Sequence, residues 1–200
     1  EQGSKGAREQ GSKGARGREA RQARGANGLM WMFVSCVCNM LRHEIRTLKS
    51  MKEDHFMPPA GAFTRTVRIR FSHCDPAGIV YFPQYFDMFN GLIEDWYTEE
   101  LRVNYAELIL HDQHGFPFVH IDTDFKVPSR MGDQLDLTLL IEKIGRSSLS
   151  LIIVGHHEGI ERLRARTVTA MMSLASRRSV EMPISLRRAF EAYALKAAGR

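Results

Sequence analysis

The chain has 200 residues, 44% of them hydrophobic and 26% charged, enough for one ordinary globular core with sequence to spare. A net charge of +5 would suit a nucleic-acid binder, but residues 1–28 alone carry seven Lys/Arg against three Glu, so the remainder is nearly neutral and no nucleic-acid partner is expected for it. Three cysteines, Cys36, Cys38 and Cys74, match neither a zinc spacing nor a disulfide framework, which points to a reducing, cytoplasmic setting.

The run EQGSKGAR at 1–8 recurs unchanged at 9–16, and the Gly/Ser/Arg-rich composition continues to Gly28. With almost no apolar residue to bury, 1–28 is expected to be a disordered basic tail. Residues 29–41 are apolar but too few for the roughly 20 that a membrane-spanning helix needs, so no membrane partner is expected. A basic run before a short apolar run is also the pattern of a secretory signal, yet no small-x-small cleavage site follows. The preferred reading is that 1–50 is translated upstream sequence, since Met51 and Met57 both precede the first patterned strand. Residues 29–60 are then an apolar segment and linker, and 61–200 the folded domain.

From Thr64 the apolar Val67, Ile69 and Phe71 alternate with polar neighbours, which predicts a half-buried strand ending near Phe71. Asp75-Pro76-Ala77-Gly78 is a turn signal, with Pro second and Gly fourth. Pro83 suits a first helical turn, leaving Phe82 as the expected N-cap. Tyr85, Phe86, Met88, Phe89, Leu92, Ile93, Trp96 and Tyr97 then recur at three- and four-residue spacing, predicting a long buried helix in which Gly91 permits close backbone approach. A short helix over 104–111 and strands over 116–127, 134–144, 147–157 and 162–175 follow, with Gly145 and Glu158-Gly159 as hairpin turns. An amphipathic helix over 184–198 closes the chain. One strand, a long apolar helix and four antiparallel strands make an α+β domain.

The amides that open a buried helix can stabilise an oxyanion, and a carboxylate on the turn before it can serve as nucleophile or general base. Asp75 stands in that place, but an Asp in D-P-x-G also commonly closes an Asx-turn on its own backbone. Both readings stay open on spacing alone. Adjacent residues of an extended segment point apart, so His73-Cys74-Asp75 is no triad; His73 remains a candidate support for Asp75. The same argument separates His156 from His157, and His111 to His114 fits a solvated helix end, so no metal site is expected. His120, Asp122 and Asp124 share one strand face that either lines a site or meets solvent. Arg146-Ser147-Ser148 offers a cation, two hydroxyls and turn amides able to hold a phosphate, although an exposed hairpin arginine also suits a plain surface role.

The run FSHCDPAGIVYFPQYFDMFNGLIEDWY resembles the active-site loop and central helix of the 4-hydroxybenzoyl-CoA thioesterases, and VPSRMGDQL at 127–135 resembles their Pro-x-x-x-Gly-Asp entry into a later strand. The resemblance covers about 64–175. It implies a hotdog fold, in which a five-stranded antiparallel sheet wraps a long central helix, and hydrolysis of an acyl-CoA without a cofactor. It further implies that Asp75 acts on the thioester, that the Phe82 amide polarises its carbonyl, and that Gly78, Tyr81, Arg146 and Ser147 bind substrate. Relatives acting on short-chain acyl-CoA usually carry His at the position of Phe82 and an acidic residue at that of Asn90; Phe82-Pro83 leans toward the aromatic-acyl branch. Family members bind CoA as dimers or tetramers, so a homodimer or homotetramer is the expected state.

Overall fold

The computed structural model describes residues 55–199; the expectations for 1–50 fall outside these residues. The first strand, β1 (Phe63–Arg68), stops short of Phe71, because Phe71–His73 turns into a 3-10 helix whose His73 Nδ1 accepts the Arg70 N–H at 3.1 Å. The long helix α1 (Phe82–Asp95) begins one residue earlier than Pro83 predicts, with Tyr81 as N-cap and Pro83 in its first turn. It runs on through a π-helical turn at Trp96–Glu100. Helix α2 (Tyr105–Leu110) is capped by Asn104, whose Oδ1 accepts the Glu107 N–H at 3.2 Å.

After β2 (His114–Gly115) come the four long strands β3 (Phe118–Phe125), β4 (Gln134–Ile144), β5 (Ser148–His157) and β6 (Ile160–Ala170). The expected last strand breaks after Ala170. Met172–Ser173 (β7) and Arg178–Ser179 (β8) instead join β2 in a separate three-stranded sheet of order β2-β7-β8. Such short pieces leave too few residues for alternation to reveal them. Helix α3 (Ile184–Ala197) follows.

The main sheet has the order β1-β4-β5-β6-β3 with every pair antiparallel. Short turns make β4, β5 and β6 hairpin neighbours, as expected, whereas β3 crosses over to pair with β6. Leu135, Leu137 and Leu139 of β4, Leu149, Leu151 and Ile153 of β5, and Leu163 and Ala165 of β6 share one face at 0–1% exposure. Tyr85, Met88, Phe89, Leu92 and Ile93 of α1 join them in one core cluster. α3 adds Phe190, stacked on Trp96 at 5.5 Å, and Tyr193, whose hydroxyl accepts the Phe63 N–H and donates to the Leu139 carbonyl. Two such bonds contribute about 1 kcal/mol each and fix α3 to the sheet end of the core.

The opposite face of the sheet is polar. His120, Asp122 and Asp124 lie there, exposed; Asp122 faces Arg166 and Asp124 faces Arg164 across the strands. Within this chain they meet solvent. His156 is buried on that face beneath the Phe56 ring, at 5.1 Å between centroids, and its Nε2 lies 3.1 Å from Thr138 Oγ1. Burial lowers its pKa, opposed by the charges of Asp136 and Glu161. Burial pushes the Glu161 carboxyl up, but hydrogen bonds from Arg164 and Lys126 outweigh it and hold the carboxyl below its usual value.

Candidate active site

Residues 73–81 fold back as a small hairpin. The Asp75 N–H donates to the Ile79 carbonyl at 2.9 Å and the Tyr81 N–H to the His73 carbonyl at 2.9 Å, with Cys74 and Val80 bridged between them. The second arm runs directly into α1, so Asp75 sits in the turn of a hairpin whose exit is the helix N-terminus. Gly78 closes the turn: its N–H donates to the Asp75 carbonyl at 2.9 Å, and its φ of +76° is one a side chain would strain.

Asp75 does form the Asx-turn, because its Oδ1 accepts the Ala77 N–H at 2.8 Å. That bond holds one oxygen in place. Among the described residues the other oxygen has no hydrogen-bond partner, so the turn reading and the chemical reading are compatible: the turn orients a carboxylate whose Oδ2 is open. Cys74 is half-buried, with its Sγ directed at the Arg70 carbonyl at 3.5 Å. His73 is likewise tied into the 3-10 turn rather than to Asp75.

Tyr81 and Phe82 are about half exposed, at 50% and 54%. The Phe82 N–H is the first of α1 and has no acceptor among the described residues, as expected of a helix's opening amides. An aromatic ladder descends from it: Tyr81 to Phe82 at 5.4 Å, Phe82 to Phe86 at 6.3 Å, and Phe86 to the fully buried Phe89 at 5.9 Å. The site therefore has an open carboxylate oxygen, an unpaired amide at the positive end of a helix, and an apolar aromatic surface.

The loop between β3 and β4 backs this hairpin. The Val80 N–H donates to the Ser129 carbonyl at 3.0 Å, and Ile79 bridges to Arg130. Behind it the Tyr85 hydroxyl lies beside Ser129; burial raises its pKa while Ser129 and the Arg162 guanidinium lower it. Sequence reading placed none of Tyr85, Ser129 and Arg162 at the site. The Gly-Asp motif at 132–133 was the available signal, since it anchors the loop that carries Ser129.

Asp75, Gly78 and Tyr81 thus share one hairpin, and Phe82 follows it as the first residue of α1. Arg146 and Ser147 do not join them within one chain. They lie in the β4–β5 hairpin, where their carbonyls accept the Met182 and Met171 N–H groups, at the far end of β4 from the Asp75 loop, about 30 Å away at the usual strand rise. Among the described residues no three His, Cys, Asp or Glu side chains gather as a metal site needs, and no helix is long and apolar enough to cross a membrane.

A family profile described as the Thioesterase-like superfamily matches residues 69–190. A 1,4-dihydroxy-2-naphthoyl-CoA hydrolase from Nostoc punctiforme is 28% identical over 125 residues, covering 61% of this chain and 82% of that relative. A thioesterase superfamily structure from Jannaschia sp. superposes with a TM-score of 0.63 at 24% identity, over 68% of this chain and 96% of the other. A gentisyl-coenzyme A thioesterase does so with a TM-score of 0.59 at 25% identity, over 64% of this chain and 99% of the other. The profile spans more than half of the chain, from just before the Asp75 hairpin into α3, and on that match the chain belongs to the Thioesterase-like superfamily, with its hotdog fold.

Proposed function

We propose that this thioester hydrolase acts on an aromatic acyl-CoA, releasing the free acid and CoA, with Asp75 and the Phe82 amide as its catalytic groups. The observation that carries this reading is the pairing of an open Asp75 oxygen with an unpaired N–H at the start of a buried helix. The thioester carbonyl oxygen accepts the Phe82 N–H, and the helix end stabilises the negative charge that develops there. Asp75 then either attacks the carbonyl carbon, giving a mixed anhydride that water hydrolyses, or takes a proton from the water that attacks. In both routes the carbon–sulfur bond breaks and CoA leaves as its thiolate, to be protonated by solvent.

The aromatic preference is supported by the ladder from Tyr81 through Phe82 to Phe86, which offers ring edges and faces to a flat acyl group. The Nostoc relative is named for a dihydroxynaphthoyl substrate and the solved neighbour for gentisyl-CoA, both aromatic. 4-Hydroxybenzoyl-CoA belongs to the same class. Gly78 and Tyr81 contact the acyl end in this reading. Arg146 and Ser147 hold CoA phosphate for a neighbouring subunit, which makes a homodimer or homotetramer part of the proposal.

The test is thiol release from a panel of aromatic and aliphatic acyl-CoAs by wild type and Asp75→Asn. The Asn side chain can still accept the Ala77 N–H, so the variant should melt as wild type does while kcat falls about a thousandfold. An unchanged kcat would remove Asp75 from the mechanism, and equal rates across the panel would remove the aromatic preference.

A further inference from the structure

The core face of the sheet is leucine-rich on β4 and β5 but carries threonines on β6 and β3. Thr123, Thr167 and Thr169 lie on that core face, whereas the buried Thr138 lies on the opposite face with His156. Thr138 Oγ1 bonds Thr64 and His156, and Thr169 Oγ1 donates to the Leu149 carbonyl at 3.4 Å. Thr123 Oγ1 and Thr167 Oγ1 are buried and have no partner among the described residues. A buried hydroxyl left unpaired is costly, and folded proteins rarely retain one without a use.

The two unpaired hydroxyls are neighbours. Thr123 pairs with Ala165 and Ile121 with Thr167, so Thr123 and Thr167 are diagonal partners on adjacent strands and point to the same face. Phe125 lies two residues from Thr123 on that face, and its ring meets Tyr85, in the opening turns of α1, at 5.6 Å. Thr123 is therefore about 7 Å along the strand from the contact that ties the site helix to the sheet. Ala165, fully buried and small, stands directly across from Thr123 and keeps the floor low. Ser129, whose side chain lies beside the Tyr85 hydroxyl, stands directly behind the Asp75 hairpin.

We propose that Thr123 and Thr167 are specificity-determining residues that hydrogen-bond ring hydroxyl groups of the acyl substrate. This rests on the reading of Asp75 and Phe82 as the reacting end. In this proposal an acyl carbonyl held at the Phe82 amide has its ring directed along α1, toward the β3–β6 face where Tyr85 meets Phe125. A hydroxylated ring satisfies the two threonines, whereas a plain ring leaves them unpaired; a site built to bond a substrate hydroxyl discriminates strongly against the analogue that lacks it.

The experiment compares 1,4-dihydroxy-2-naphthoyl-CoA with 2-naphthoyl-CoA in wild type, Thr123→Val, Thr167→Val and the double variant. Valine keeps the shape and removes only the hydroxyl, so melting temperatures should hold or rise. The ratio of kcat/KM for the hydroxylated over the plain ester should fall about tenfold in the double variant. An unchanged ratio in a well-folded double variant would overturn the proposal while leaving thioester hydrolysis intact. A lowered melting temperature with both esters affected alike would assign the hydroxyls to structural water and overturn it equally. Wild type that hydrolyses neither ester, nor any other acyl-CoA, would instead sink the reading of Asp75 on which this one stands.

Discussion

At Gly78 the backbone itself limits substitution. Its φ of +76° is left-handed, and a Cβ there would have open space around it, so the penalty for a side chain is conformational rather than steric crowding. Gly78→Ala should cost about 1–2 kcal/mol. It should also lower kcat beyond what lost stability explains, because the same turn orients Asp75; thermal melting and thiol release on one preparation separate the two effects. His156 gives a second residue-scale expectation. Its folded pKa lies below the ordinary 6.5, so as pH falls through 6.5 the unfolded chain takes up a proton more readily than the folded one, and stability is lost. Melting temperature should drop between pH 8 and pH 5.5 and drop less in His156→Gln. Glu161, whose carboxyl is held below its usual value, acts in the same direction only at lower pH, below that window.

At the scale of the element, α1 opens with the unpaired Phe82 amide and gives five side chains, Tyr85, Met88, Phe89, Leu92 and Ile93, to the core. The aromatic and aliphatic spacing of its sequence was sufficient to predict it, because a buried helix repeats its apolar positions locally. Its first residue was harder to place: Pro83 is tolerated anywhere in the first turn, and the structure puts Tyr81 rather than Phe82 at the cap. The shift makes the Phe82 N–H the first of the helix, and it suggests a clean substitution. Phe82→Pro removes that N–H at a position where Pro suits the helix, and should cost about a hundred- to a thousandfold in kcat. Phe82→Ala keeps the donor and should mainly raise KM. Gly91 does not serve close backbone approach among the described residues, none of which lies within 4 Å of a Cβ built there. Gly91→Ala should therefore stabilise the protein by about 1 kcal/mol in thermal or denaturant melts.

At the scale of the whole molecule, β1 and β3 are the open edges of the main sheet. β3 exposes Val119 at 60% and Phe125 at 50%, an apolar edge of the kind proteins cover by pairing. Arg146 and Ser147 lie far from the Asp75 loop of their own chain, so phosphate held there would serve a site in another copy. Light scattering should return two or four times the 22.8 kDa chain mass, with Val119→Lys shifting the population toward monomer. Arg146→Ala should raise KM for CoA esters several-fold with little change in kcat. Mixing it with Asp75→Asn should restore activity above that of either parent if sites are shared between chains.

Legible in the sequence was what depends on near neighbours: the periodicity of α1, the D-P-A-G turn, the hairpins joining β4, β5 and β6, and the run around Asp75, whose thioesterase-like character the profile match bears out at the level of the superfamily. It left open whether Asp75 closes a turn or faces substrate, and the structure shows that one oxygen closes the turn while the other has no hydrogen-bond partner among the described residues. Tertiary structure alone decided that β3 crosses to β6, that His120, Asp122 and Asp124 face away from the helix, and that Arg146 lies at the wrong end of β4 for its own chain's Asp75. It also decided which buried hydroxyls lack partners. These are outcomes of pairings between residues distant in sequence, which core packing selects and no local pattern encodes.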